Sequence, residues 1–136
     1  MISWNVNYLA VFVTAIISMA IGMFWYSQKA LGTQWIELSK IKIDKKKMEG
    51  MGQKMFIAFI AALITSFVLA NFIKFTEAAN LVSGAQTGLL IWFGFIAPVQ
   101  LGIVLWESKP IKLFLINTGC SLVNLAIIGA ILAVWM

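Results

Sequence analysis

The sequence predicts an all-α polytopic membrane protein in which four transmembrane helices form a compact bundle, with a short interfacial helix between the first and second. Four long runs lack any charged side chain, and every Lys, Asp and Glu lies between them. The runs hold 28, 19, 29 and 24 residues, and about 20 apolar residues cross a bilayer as a helix. Because backbone amides find no water in lipid, each run must close its own hydrogen bonds as a helix.

The chain has room for one domain. At 136 residues and 62% hydrophobic composition, four spans leave little for a separate soluble fold. We therefore expect a single transmembrane domain over residues 1–136. Its spans are predicted at about 6–26, 55–73, 82–106 and 113–135.

The lysines predict the orientation in the membrane. Nine of the ten basic residues, all of them Lys, lie in the first and third connections, whereas Lys74 is alone in the second. Because cytoplasmic loops carry an excess of Lys and Arg, these two connections are expected in the cytoplasm. Both termini are then outside.

The first connection contains two features that suit the membrane surface. The segment from Leu31 to Lys40 fits a short interfacial helix, with Trp35 as its membrane anchor. The triplet Lys45, Lys46 and Lys47 is a candidate contact for anionic lipid head groups. An orientation signal explains the same three lysines.

The third span is unusually rich in glycine. Gly84 and Gly88 are four residues apart, and Gly94, Pro98 and Gly102 repeat that spacing. Pro98 removes a helical hydrogen bond and predicts a kink. Such a helix either packs closely against a neighbour or lines a ligand path.

Polar side chains within the spans are uncharged. Asn117, Ser121 and Asn124 share one face of the fourth span. Gln100 is near the inner end of the third span, so we expect it to meet Asn117 across the two helices. This set either holds helices together or forms a substrate site.

The connection between the third and fourth spans is a short turn. We expect Ser108 to cap the fourth helix, with Pro110 in its first turn, where a missing N–H costs nothing. Glu107 and Lys109 are near enough in sequence to pair across the turn.

Two groups of short motifs stand out along the chain. They are Gly22-Met-Phe-Trp-Tyr-Ser with Leu31-Gly32 and Trp35, then Gly94-Phe-Ile-Ala-Pro98, Leu105-Trp-Glu107-Ser-Lys-Pro110 and Lys112-Leu-Phe-Leu-Ile-Asn117-Thr-Gly119. Together they cover nearly the whole chain, which resembles the bacterial membrane proteins grouped as domain of unknown function 1761. The resemblance implies four transmembrane helices, location in the bacterial inner membrane and no assigned activity.

The resemblance also draws attention to motif residues that are expected near the cytoplasmic side. With the polar residues of the spans they form our candidate polar or packing cluster: Trp25, Tyr26, Pro98, Gln100, Glu107, Lys109, Asn117, Ser121 and Asn124. The shared depth of the motif residues predicts either a cytoplasm-facing site or a subunit contact.

The composition argues against an enzyme. The chain has no His, a single Cys, no carboxylate inside a span and no glycine-rich phosphate loop. We expect no catalytic residue, no cofactor and no metal site. The methionine row Met48, Met51 and Met55 needs no metal to explain it in so apolar a chain.

Three functions remain open from the sequence. The leading hypothesis is a small oligomeric membrane protein that passes a small neutral or weakly polar solute. The alternative is a non-catalytic accessory subunit of a larger membrane complex. A weaker alternative is anionic-lipid binding at the inner leaflet through Trp35 and Lys45 to Lys47. Expected partners are membrane lipids and either further copies or a larger complex, with no nucleic acid.

Overall fold

The structure, a computed structural model, describes residues 6–26 and 51–135. This part of the chain folds into four long helices. They are α1 Tyr8–Trp25, α2 Met51–Phe75, α3 Leu81–Trp106 and α4 Ile111–Trp135. Four helices are long and apolar enough to cross a membrane, and these ranges contain no strand, which confirms the all-α class with four candidate spans. The predicted interfacial helix, with Trp35 and Lys45 to Lys47, lies outside the described residues.

Helix α4 is the element that the other helices share. It packs against α1 and α2, and most extensively against the first half of α3, while α1 also packs against α2. Helices α1 and α4 are antiparallel, because Tyr26 bonds to Asn117 at one end and Asn7 Nδ2 donates to the Trp135 carbonyl, 3.4 Å away, at the other. The start of α1 and the end of α4 therefore lie at the same end of the molecule.

The buried side chains cluster toward that end of the molecule. The cluster comprises Val6, Ala10, Val11, Leu69, Ala70, Ile73, Leu125, Ile128, Leu132 and Ala133. Alanines from three helices, Ala10, Ala70 and Ala133, are almost fully buried within it. In lipid, packing of this kind rests on van der Waals contact rather than on release of water, so shape fit decides its strength.

Glycines let α3 and α4 approach closely. A methyl group added at Gly84 would collide with the carbonyl oxygen of Gly129, and one added at Gly88 would collide with that of Leu125. Small residues at such positions allow two helix backbones to touch. The close-packing interpretation therefore applies to the first half of α3.

The geometry of α3 changes just before Pro98. Leu81–Ile91 and Ala97–Trp106 are α-helical, whereas Trp92–Ile96 form a π-helical turn. The Ala97 amide donates to the Trp92 carbonyl, five residues back. Because Pro98 lacks an N–H and its ring crowds the carbonyl of residue 94, a wider turn relieves the clash. Where the sequence predicted a kink at Pro98, the structure has this π-helical turn.

A capping box begins α3. The Asn80 side chain accepts a hydrogen bond from the Ser83 amide, 2.8 Å away, and Ser83 Oγ accepts one from the Asn80 amide, 3.2 Å away. Two amides of the first turn, which have no partner within a helix, are thus satisfied.

The turn after α3 differs from the prediction. Ser108 has a φ of 55°, and the next amide, that of Lys109, donates to the Ile103 carbonyl, 3.3 Å away. A residue in the left-handed conformation, followed by an amide that donates to the carbonyl six residues earlier, is typical of the end of a helix and not of its start. The prediction that Ser108 caps α4 is therefore wrong, and α4 begins at Ile111, directly after Pro110.

Candidate functional site

The end of α1 meets the start of α4 through two side chains. The Tyr26 hydroxyl donates to Asn117 Oδ1, 2.7 Å away, and Trp25 Nε1 donates to the Ile116 carbonyl, 2.9 Å away. The Tyr26 amide still bonds to the Gly22 carbonyl, so the helix end holds both rings in place. The structure thus brings together three of the candidate residues, Trp25, Tyr26 and Asn117.

Gly119 makes room for the Trp25 ring. A methyl group at Gly119 would lie 3.2 Å from Trp25 Cζ2, which is tighter than ordinary van der Waals contact. The small residue therefore lets the indole lie flat enough against α4 to reach a backbone carbonyl.

A second indole contacts α4 from α3. Trp92 Nε1 donates to the Thr118 carbonyl, 2.8 Å away, and the Thr118 hydroxyl donates to the Phe114 carbonyl, 2.6 Å away. Since Ile116 and Thr118 are two residues apart, their carbonyls lie on nearly opposite sides of the helix. Trp25 and Trp92 therefore hold α4 from two sides. We call this pair of hydrogen bonds the indole clamp.

The polar stripe of α4 is only partly satisfied. Ser121 Oγ donates to the Asn117 carbonyl, 3.3 Å away, within the same helix. Asn124 Oδ1 and Ser18 Oγ are buried and have no hydrogen-bond partner among the described residues. The antiparallel register fixed by Tyr26–Asn117 places Ser18 of α1 level with Asn124 of α4.

The remaining candidate residues do not join this contact. Gln100 is half-buried and makes no hydrogen bond to Asn117, whose Oδ1 accepts from Tyr26 instead. Pro98 and Glu107 are exposed, and no ion pair joins Glu107 to Lys109. The expectation that Gln100 bonds to Asn117 is therefore not met in the structure.

Sequence reasoning did not select Trp92. Aromatic residues near the ends of a span are expected at the membrane surface. Trp92 instead lies in the middle of α3, at the start of the π-helical turn. Its position could have indicated the contact, because an indole N–H in the middle of a span requires an acceptor on a neighbouring helix.

The chemistry of this contact is that of neutral hydrogen bonds. In these four hydrogen bonds, indole, phenol and hydroxyl groups donate to backbone carbonyls or to an amide oxygen, so each bond joins two uncharged groups. Within residues 6–26 and 52–135, no three His, Cys, Asp or Glu side chains come together in a way that could hold a metal ion. The arrangement can hold helices or bind a neutral polar group.

Four helices long and apolar enough to cross a membrane, with hydrogen bonds between uncharged groups, are typical of polytopic α-helical membrane proteins. Within that class the chain belongs to the family described as protein of unknown function (DUF1761), whose family model matches residues 9–133. The family predicted from the motifs is thus confirmed. Comparisons with curated proteins and with solved structures gave no match.

Proposed function

We propose that the protein is a non-catalytic membrane protein that works as a homo-oligomer, with the second half of α3 as the contact between copies, and that the assembly passes a small neutral solute. The observation that carries the oligomer is the open space beside Gly94 and Gly102 together with the exposure of Pro98. A methyl group at Gly94 would meet no atom within 4 Å, and one at Gly102 would meet only Trp106 of the same helix. Pro98 is exposed.

The two halves of α3 use their glycines differently. Gly84 and Gly88 are buried against α4, whereas Gly94 and Gly102 touch no other helix. The span Leu81–Trp106 is also the least buried of the four. Residues four apart share one helix face, and small residues on that face allow another helix to approach closely. Such a face suits a second copy of this chain.

Two buried polar atoms without a hydrogen-bond partner among the described residues, one on α1 and one on α4, support the solute. A buried donor or acceptor that lacks a partner costs about 1–3 kcal/mol. Ser18 Oγ and Asn124 Oδ1 are two such atoms at one level of the α1–α4 pair. A hydroxyl or amide group of a passing molecule would satisfy either atom, and both atoms belong to uncharged side chains.

Native mass spectrometry of the full chain, extracted gently from its membrane, tests the oligomer. We expect a defined homo-oligomer for the wild type and monomers for Gly94→Leu and Gly102→Leu. Gly52→Leu is the matched control, because a side chain there also meets no atom within 4 Å and lies on α2. A wild-type monomer, or variants that stay assembled, would contradict the proposal. A stoichiometric larger partner would support the accessory-subunit alternative instead.

Swelling of vesicles that contain the protein tests the solute, with glycerol and urea as probes. We expect faster entry than in protein-free vesicles and loss of that difference in Asn124→Leu. Gln86→Leu, at an exposed position near the start of α3, serves as the control. Unchanged entry in an intact Asn124→Leu assembly would reject the solute site and leave the oligomer standing.

A further inference from the structure

An open groove of about 490 Å³ lies between the second half of α1 and the beginning of α2, with Met23 61% exposed and Met55 37% exposed. Its lining is Ser18, Met19, Gly22, Met23, Tyr26 and Met55. Three of these six residues are methionines, and they are all the methionines whose side chains the structure describes. Thioether groups from two helices are therefore gathered at one place.

Met19, Met23 and Met55 line one groove, and rotation of their side chains would bring the sulfur atoms to a common ligand. Met19 and Met23 are four residues apart on α1, so their side chains are neighbours on one helix face. Met55 lines the same groove from α2. Three rotatable bonds let each thioether adjust its sulfur position without moving the backbone. A methyl group added at Gly22 would meet no atom within 4 Å, so this glycine leaves space beside Met19 and Met23.

The chemistry of thioethers selects the ligand. Sulfur of Met is a soft, neutral donor that favours Cu(I) over Mg²⁺, Ca²⁺ or Mn²⁺, which prefer oxygen. A set of neutral donors also avoids placing an isolated negative charge within the apolar part of the protein, where such a charge is costly. A soft monovalent cation is the ion that this donor set fits.

From this convergence we infer a binding site for a soft monovalent metal ion, Cu(I), with Met19, Met23 and Met55 as its ligands. The site departs from the sequence-based expectation that no metal binds. The methionine row Met48, Met51 and Met55 did not reveal it, because the other two ligands come from α1. It is independent of the proposed oligomer, since none of its residues lies on the outward face of α3.

Titration of the purified full chain with Ag(I), a redox-inert substitute for Cu(I), tests the site. We expect one Ag(I) per chain. Removal of a residue that only supports a metal ligand weakens metal affinity by about 10- to 100-fold. Removal of a ligand itself, in Met19→Leu, Met23→Leu or Met55→Leu, should weaken Ag(I) affinity at least as much. Met136→Leu is the matched control, since Trp135, its neighbour in sequence, lies at the opposite end of α4 from the residues that contact Tyr26. Leu replaces Met with little change in volume, which favours folded variants.

Two further measurements keep the test decisive. Each titration is repeated in Cys120→Ser, because the thiol lies beside Tyr26 and binds soft metals by itself. X-ray absorption of the Cu(I)-loaded protein should show sulfur neighbours that are lost from the single Leu variants. Absence of stoichiometric binding by the wild type would overturn the inference. So would equal binding by a folded variant in which all three methionines are replaced, or loss of binding in Cys120→Ser alone.

Discussion

The hydrogen bond between Tyr26 and Asn117 joins residues that are 91 positions apart in sequence. The bond is part-buried and joins two uncharged side chains, so its strength depends on donor and acceptor geometry. Hydrogen bonds between membrane helices contribute on average about 0.6 kcal/mol, with a maximum near 1.7 kcal/mol. At the scale of residues, this single bond fixes how the end of α1 meets α4.

A double-mutant cycle measures that bond. We expect Tyr26→Phe and Asn117→Ala each to destabilise the protein and their effects to be less than additive, with a coupling of about 0.6–1.7 kcal/mol. Reversible unfolding in detergent gives the four free energies of unfolding. Additive effects would show that the two side chains do not interact.

The indole clamp gives a second prediction at this scale. Trp92→Phe removes the donor to the Thr118 carbonyl while keeping an aromatic ring, so we expect a loss of about 1 kcal/mol in the free energy of unfolding. Trp106→Phe is the matched control, because Trp106 is 85% exposed. Thermal unfolding of both variants in one detergent checks this. Equal effects at the two positions would argue against the clamp.

The sequence identified Trp25, Tyr26 and Asn117 through their motifs but could not assign their partners. Depth along the helices paired Asn117 with Gln100, because both are near the same end of their spans. Side-chain reach and helix rotation decided otherwise, since the Tyr26 hydroxyl lies 2.7 Å from Asn117 Oδ1. Neither quantity can be read from spacing alone.

At the scale of elements, α3 is a helix with two different environments. Its first half packs closely against α4 at Gly84 and Gly88, whereas a methyl group added at Gly94 or Gly102 would meet no other helix. The spacing of four residues is the same in both halves. Only the neighbouring helix distinguishes a glycine that is needed for packing from one that leaves open space.

Alanine substitutions separate the two kinds of glycine. We expect Gly88→Ala to destabilise the chain by about 1–3 kcal/mol, because the new methyl group collides with the Leu125 carbonyl. Gly94→Ala is its matched control. Because Ala favours helix over Gly, we expect this variant to raise the free energy of unfolding, by no more than about 1 kcal/mol. Unfolding in a detergent that keeps the chain monomeric gives both values. A larger loss at Gly94 would contradict the described packing of α3.

The end of α3 gives a prediction of opposite sign. Ser108 adopts a left-handed conformation that glycine tolerates better, so Ser108→Gly should raise the free energy of unfolding by about 0.5–1 kcal/mol. Ser83→Gly is the control, because it removes the capping box of α3 and should lower stability. Chemical denaturation of the two variants measures both changes. Destabilisation by Ser108→Gly would contradict the left-handed backbone at this position.

At the scale of the whole molecule, the start of α1 and the end of α4 lie together. An even number of spans requires this arrangement but does not say which side of the membrane the ends face. The distribution of lysines predicts that side, because it places the first and third connections in the cytoplasm.

Cysteine labelling tests the predicted orientation. In a Cys120→Ser background, an impermeant maleimide applied to intact cells should label Ala79→Cys, between α2 and α3. It should label Ser108→Cys, between α3 and α4, only after the membrane is opened. Both positions are exposed, so accessibility to solvent does not differ between them. The reverse pattern would place both termini in the cytoplasm.

The sequence by itself determined the four long apolar helices of the described residues, their approximate bounds and the family. Long uncharged runs have one way to satisfy their backbone in lipid, and motifs are local in sequence. Tertiary structure decided which polar groups meet, which glycines are buried and where the methionines gather. These properties depend on the rotation and register of helices from distant parts of the chain, and packing of whole helix faces sets both.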